Sequence, residues 1–163
     1  MLPPANFITL TSEMVEECAK LYCETYSSAP WFEQWPSHHP IIEFITHHLG
    51  NNYFMGYVIQ VEKRIVGACL GFKKPWNQGV EYYIDELFIH PDFQGKGLGS
   101  AFMQYIEQQC VTCNLNAIIL NTEKGFPSES YYRRNGFTVH EGLILRDPLI
   151  ISPKRNHVWI DFE

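Results

Sequence analysis

The chain has 163 residues and a formal net charge of −6. That length suits one domain around a single core, and an apolar share of 45% with an aromatic share of 15% can fill it. The acidic balance argues against a nucleic-acid partner, whose affinity rests on phosphate neutralisation, and no apolar run approaches the ~20 residues of a membrane helix.

Residues 7–10 read as a short first strand. Thr11 or Ser12 is placed to cap a helix whose start carries Glu13, Glu16 and Glu17, acids that suit the positive end of a helix. Met14, Cys18, Leu21, Tyr22 and Thr25 mark its apolar face, and Ser27-Ser28-Ala29-Pro30 should end it. The opening residues MLPPANFITL lack the basic start and long apolar stretch of a signal peptide. Five cysteines in no regular framework suggest free thiols in a reducing compartment. A cytoplasmic location is therefore expected. Cys110-x-x-Cys113 has no second pair to complete a zinc or redox site and reads as a core or surface feature.

Pro30-Trp31-Phe32-Glu33-Gln34-Trp35-Pro36 is too stiff and irregular for a helix interior. It is either an aromatic plug at one end of the core or a wall of a substrate pocket. In the second case Trp31, Glu33 and Trp35 offer the aromatic faces and the carboxylate that a cationic amine would favour. His38-His39 and His47-His48 raise the question of metal, but adjacent histidines on a helix diverge, and the spacing does not make a ligand set. No metal is expected. Residues 40–49 read as a second helix closed by Gly50-Asn51-Asn52.

Residues 53–61 and 65–72 read as two strands joined by the polar Glu62-Lys63-Arg64, and residues 73–79 as a loop. The stretch YYIDELFIHPDFQGKGLGSAF, residues 82–102, comes next. Its first eight residues are aromatic and β-branched enough for a strand. His90-Pro91-Asp92-Phe93 breaks that strand. Gln94, Gly95, Lys96, Gly97, Leu98, Gly99 and Ser100 then open a helix whose stripe is Leu98, Ala101, Phe102, Tyr105, Ile106, Cys110 and Cys113. Glycines let backbone approach a ligand closely, and a helix start offers unpaired N–H groups, so this is a candidate anion site as well as a candidate tight turn. The GxxxxGK[ST] and GxGxxG spacings are both missed. A dinucleotide loop should also open a βαβ unit, whereas this one follows a hairpin-like region.

Residues 117–120 form a short apolar run expected to be a buried strand, 121–127 a loop, and 128–135 a helix with Ser128 as cap and Gly136 as its left-handed stop. Residues 137–145 and 157–162 are the last strands, separated by a loop with Pro148 and Pro153. The order predicts an α+β fold in a single domain over residues 1–163.

Gln94-x-x-Gly97-x-Gly99 resembles the (Arg/Gln)-x-x-Gly-x-(Gly/Ala) signature of the GNAT N-acetyltransferase superfamily. The preceding Ile84-Asp85-Glu86-Leu87-Phe88-Ile89 and the downstream Ser130-Tyr131-Tyr132-Arg133-Arg134-Asn135-Gly136-Phe137 resemble that family too, in the right order and at its usual separation. The resemblance extends over about residues 5–147, and the branch of the aminoglycoside 6′-N-acetyltransferases is the nearest. It implies a mixed, mainly antiparallel sheet of about seven strands flanked by about four helices. It also implies acetyl-CoA as the acetyl donor to an amine, with Gly95 to Ser100 as the diphosphate loop and the backbone of Leu87, Phe88 and Ile89 pairing with the pantetheine arm.

The same resemblance places a general base or amine anchor at Asp85 and an acid for the leaving thiolate at Tyr132. A free aspartic acid titrates near ~3.9 and an alkyl ammonium near ~10, so direct transfer is poorly matched without burial or a relaying water. A structural salt bridge is the competing role for Asp85, and core packing the competing role for Tyr132. Neighbouring strand residues face opposite sides, which puts Tyr83 with Asp85 and leaves Glu86 as a structural group or a second acid lining the site. Many members carry an Asn at the start of the last helix that bonds the cofactor. Here residues 123–127 offer none, and Asn121 lies earlier. The acceptor implied is a small cationic amine, polyamine- or aminoglycoside-like. A protein or peptide amine, or a non-catalytic acyl-CoA sensor, is the alternative. A homodimer through the last two strands is compatible with this class.

Overall fold

The computed structural model describes residues 4–139 and 157–162. Its strands are β1 (Asn6–Thr9), β2 (Phe54–Val61), β3 (Arg64–Trp76), β4 (Gly79–Ile89), β5 (Ala117–Glu123), β6 (Phe137–Val139) and β7 (His157–Phe162). Its α-helices are α1 (Val15–Tyr26), α2 (His39–Leu49), α3 (Leu98–Thr112) and α4 (Pro127–Arg134). The strands form one sheet in the order β1-β2-β3-β4-β5-β7-β6. Every pairing is antiparallel except β4 with β5. This is the mixed α+β architecture the sequence predicts. The glycine loop does open a βαβ unit, because β4 and β5 run parallel across α3. The hairpin reading saw only β4's other neighbour.

Two apolar layers cover the sheet. On one face α3 buries Leu98, Phe102, Met103, Ile106 and Cys110 against Tyr57, Tyr82 and Ile84. On the other, α1 and α2 bury Cys18, Ala19, Leu21, Ile41 and Ile45 against Val58, Ala68, Leu70 and Phe88. Met103 joins the α3 stripe, whereas Cys113, expected on it, is exposed.

Several boundaries move for physical reasons. Ser12–Met14 forms a 3₁₀ turn with no side-chain cap bond from Thr11, and α1 starts at Val15. Glu62 and Lys63 both take positive φ, 50° and 67°, making a two-residue turn from Val61 to Arg64 whose twist suits a hairpin. The loop expected over 73–79 is mostly strand. β3 stays paired with β4 as far as Trp76↔Gly79, and β2 pairs no further than Phe72, so Pro75 lies on an edge that tolerates proline. Asn121 to Glu123 extend β5, because β7 returns beside them. Phe126, not Ser128, is the residue before α4, and the Ser128 hydroxyl instead accepts from Thr122 Oγ1 at 2.8 Å. Gly136, at φ 88°, follows the helix as expected. The rest of the strand read over 137–145 lies outside the described residues.

Candidate active site

β4 and β5 hold together only from Glu81↔Ala117 to Ile84↔Leu120. Beyond that point they part. Asp85 to Ile89 keep β3 as their one strand neighbour, and Asn121 to Glu123 keep β7. A cleft of about 540 Å³ opens at the parting, between Ile84 to Leu87 on one wall and Leu120 to Glu123 on the other. Tyr22, Tyr26, Trp31 and Glu33 line it from α1 and the segment after α1, and Phe126, Ser128 and Tyr132 from α4 and the residue before it, with the Trp31 and Phe126 rings edge-on at 5.1 Å. A strand with an open side has N–H and C=O groups that need partners, so the cleft suits an extended ligand with amide groups of its own.

Asp85 and Glu86, neighbours on β4, do not face opposite sides. Leu70 pairs with Glu86 and Gly71 with Ile84, so Asp85 is the extra residue of a β-bulge. The bulge resets the alternation. Tyr82 and Ile84 pack in the α3 layer before it, Leu87 and Ile89 after it, and Phe88 turns to the α1 layer. Asp85 and Glu86 both turn toward α1 and α2. The Tyr26 hydroxyl donates to Glu86 Oε2 at 3.0 Å, and His48 Nε2 lies 2.7 Å from Asp85 Oδ2. Burial pushes the Tyr26 phenol well above its usual range, and the Glu86 charge adds to it. Glu33 and Glu123 bring the lining carboxylates to four, and no Lys or Arg lines the cleft among the described residues.

Tyr132 of α4 is 6% exposed. Its ring stands edge-on to Tyr131 and Phe137. Its hydroxyl has no hydrogen-bond partner among the described residues. Burial pushes this phenol well above 10, with smaller contributions from Tyr131, Cys69 and Glu86. It therefore stays protonated through neutral pH and keeps a proton to donate.

The glycine loop sits beyond the open end of β4. Gln94 Nε2 donates to Ile89 O at 2.7 Å and ties the loop to the strand. Gly95 and Gly97 take φ 70° and 79°, which glycine adopts without strain. A Cβ on Gly99 would meet Tyr131 Cε2 at 3.0 Å and Ile89 Cδ1 at 3.2 Å. The Tyr131 hydroxyl donates to Gly99 O at 2.8 Å, so Tyr131 locks α4 to the loop. The first N–H groups of α3 (Leu98, Gly99 and Ser100) have no acceptor in their own helix. Lys96 bends back instead, its Nζ 2.6 Å from Asp92 O and over the Phe93 ring.

The structure thus gathers Trp31, Glu33, Asp85, Glu86, Leu87 and Tyr132 around one cleft. It leaves others aside. Trp35 packs on the α1 layer and donates from Nε1 to Glu33 at 2.9 Å, holding that carboxylate. Tyr83 stacks on Phe72 and donates to Asn121 Oδ1 at 3.0 Å. Phe88 is buried against Tyr22 and Tyr26, so only its backbone is available to a ligand. Sequence reasoning missed Tyr26, His48, Phe126 and Glu123. Asn121, left without a role by the sequence, lines the cleft from β5. Among the described residues no cluster of three or more His, Cys, Asp or Glu is placed to hold a metal ion, and no helix is long and apolar enough to cross a membrane.

The model of the acetyltransferase (GNAT) family matches residues 15–137. No curated protein matches the chain. Among solved structures it is similar to the PaiA N-acetyltransferase of Thermoplasma acidophilum in complex with coenzyme A, at TM-score 0.71 and 15% identity over 98% of this chain and 99% of that one. It is also similar to the ribosomal-protein-S18-alanine N-acetyltransferase of Escherichia coli, at TM-score 0.73 and 11% identity over 98% and 93%. A third likeness is to mutant forms of the spermidine/spermine N-acetyltransferase SpeG of Vibrio cholerae, at TM-score 0.68 and 17% identity over 98% and 94%. At these identities the likeness is one of fold.

Proposed function

The chain belongs to the GNAT acetyltransferase family and is an acyltransferase that uses acetyl-CoA, and from that premise we propose that it acetylates a primary amine of a small cationic substrate, polyamine- or aminoglycoside-like. The observation that carries this reading is the lining of the cleft. Four carboxylates and the rings of Tyr22, Tyr26, Trp31 and Phe126 surround it, with no Lys or Arg among the described residues that line it. Such a lining favours an ammonium by charge and by cation–π contact.

The residues present fit the donor. The parted β4 edge suits an amide-bearing arm, and the glycine loop with the α3 start, residues 94–100, suits a diphosphate. Bound there, acetyl-CoA supplies a thioester carbonyl for the amine to attack. In this reading Asp85 anchors the ammonium and accepts its proton, directly or through a water. Glu86, held by Tyr26, adds the second negative charge. Tyr132 donates its O–H to the developing thiolate, and Trp31 and Glu33, steadied by Trp35, close the amine side.

Calorimetry with acetyl-CoA, then thiol release over aminoglycosides, polyamines, amino acids and peptides, tests the proposal. Turnover confined to polycationic small amines supports it. Turnover confined to peptides supports the alternative reading, an amine on a protein or peptide. Binding without turnover on any amine would leave an acyl-CoA sensor.

A further inference from the structure

The geometry points to His48 as a positioning residue for Asp85. The inference rests on reading Asp85 as the amine-side carboxylate. Asp85 is the bulged residue of β4, outside the regular ladder register. Its side chain is 38% exposed, so backbone and packing alone leave its carboxylate free to rotate. His48 removes that freedom. It lies in the last turn of α2, and its side chain is only 12% exposed. Its ring stands edge-on to Phe44 at 4.8 Å and tilted to Phe54 at 6.0 Å. An imidazole held on two sides presents Nε2 in one direction, and there Asp85 Oδ2 sits at 2.7 Å.

Facing a carboxylate, Nε2 must carry the proton. Asp85 Oδ2 is then occupied as an acceptor, and Oδ1 is left for the substrate. His47, one residue earlier, is exposed and serves as an internal contrast. The arrangement makes α2 a part of the amine site although His48 does not itself line the cleft.

The test compares His48→Leu, His48→Gln, His47→Leu, Asp85→Asn and the His48→Leu/Asp85→Asn double variant, with spermidine as the amine probe or the best amine of the panel. His48→Leu should lower amine-side kcat/KM roughly 10- to 100-fold, the worth of one hydrogen bond to a charged group, with the KM for acetyl-CoA unchanged. His48→Gln keeps an N–H at the Nε2 position and should stay within about threefold of the native enzyme. His47→Leu should match the native enzyme. The double variant should fall no further than Asp85→Asn, because His48 acts through that carboxylate. Independently of turnover, ¹⁵N NMR of the imidazole should show the Nε2–H tautomer.

Native kinetics in His48→Leu beside a crippled Asp85→Asn would overturn the role of His48 and leave that of Asp85 standing. Native kinetics in Asp85→Asn would overturn both. Equal losses in His48→Gln and His48→Leu, multiplying losses in the double variant, or a proton on Nδ1 in a neutral ring would each reduce His48 to a packing residue.

Discussion

Removing one oxygen from Tyr132 should separate stability from activity. The hydroxyl is buried with its ring at 6% exposure, and among the described residues no protein group accepts from it. A buried polar group left unpaired costs about 1–3 kcal/mol. Tyr132 lines the cleft, so water can offset most of that cost. Tyr132→Phe should then be neutral or stabilising by up to about 1 kcal/mol, which for a chain of this size is a Tm unchanged or raised by roughly 2–4 °C. Catalysis should move the other way. Losing the donor to the departing sulfur should cost about 100-fold in kcat. The assay pairs thermal unfolding with thiol release at saturating acetyl-CoA. A Tm several degrees lower would show that the hydroxyl holds the structure together, and native kcat would show that it plays no part in the chemistry. Either result refutes the role given to Tyr132.

Glu86→Gln removes one of the four cleft carboxylates while keeping an acceptor for the Tyr26 hydroxyl; the KM for a polycationic amine should rise about tenfold and that for acetyl-CoA should not change, and equal rises in both would contradict an amine-side role. Gly99→Ala places a Cβ 3.0 Å from Tyr131 Cε2; a loss of about 1–3 kcal/mol and a raised KM for acetyl-CoA are expected, and a native Tm would show that Tyr131 yields freely. Burial pushes the thiols of Cys18, Cys69 and Cys110 up to about 12 and the phenols of Tyr82 and Tyr132 well above 10. In the unfolded chain these groups lose protons first, thiols from about 8.5 and phenols near 10. Their contribution to stability is therefore complete below about pH 8.5 and is lost as pH rises toward 12. Calorimetric Tm between pH 7 and 11 checks this, and a flat profile would contradict it.

What the sequence carried legibly was local. The α3 stripe, the β2–β3 hairpin and the glycine spacing of residues 94–100 are each written locally, and the structure has them where expected save that Met103, not Cys113, belongs to the buried stripe. The order of the two motifs also revealed the family. What it hid depends on distant partners. The bulge at Asp85 exists only because β3 pairs past it, so counting alternate residues along β4 put Asp85 and Glu86 on the wrong sides of each other. The extension of β5 through Glu123 needs β7, which arrives 34 residues later. His48 meets Asp85 across 37 residues, and Tyr26 meets Glu86 across 60. Neither His48 nor Tyr26 belongs to a motif. Trp35 illustrates the same limit: the stretch around it read as either an aromatic plug or a pocket wall, and its position packs it on the α1 layer as the brace of Glu33.

The short β4–β5 pairing has a mechanical consequence. Strands β1 to β4 and strands β5, β7 and β6 are two plates joined by the four pairs from Glu81↔Ala117 to Ile84↔Leu120. Asp85 and Glu86 ride on the first plate. Tyr132 rides with the second, because α4 packs on β5 and β6. A small change in the angle between the plates would change the distance between Asp85 and Tyr132, the groups to which the proposal gives the amine and the thiolate. Ile84 and Leu120 form the last pair before the parting, and both are buried. They pin the two plates together at the head of the cleft, which both of them line, although neither side chain has chemistry of its own to offer.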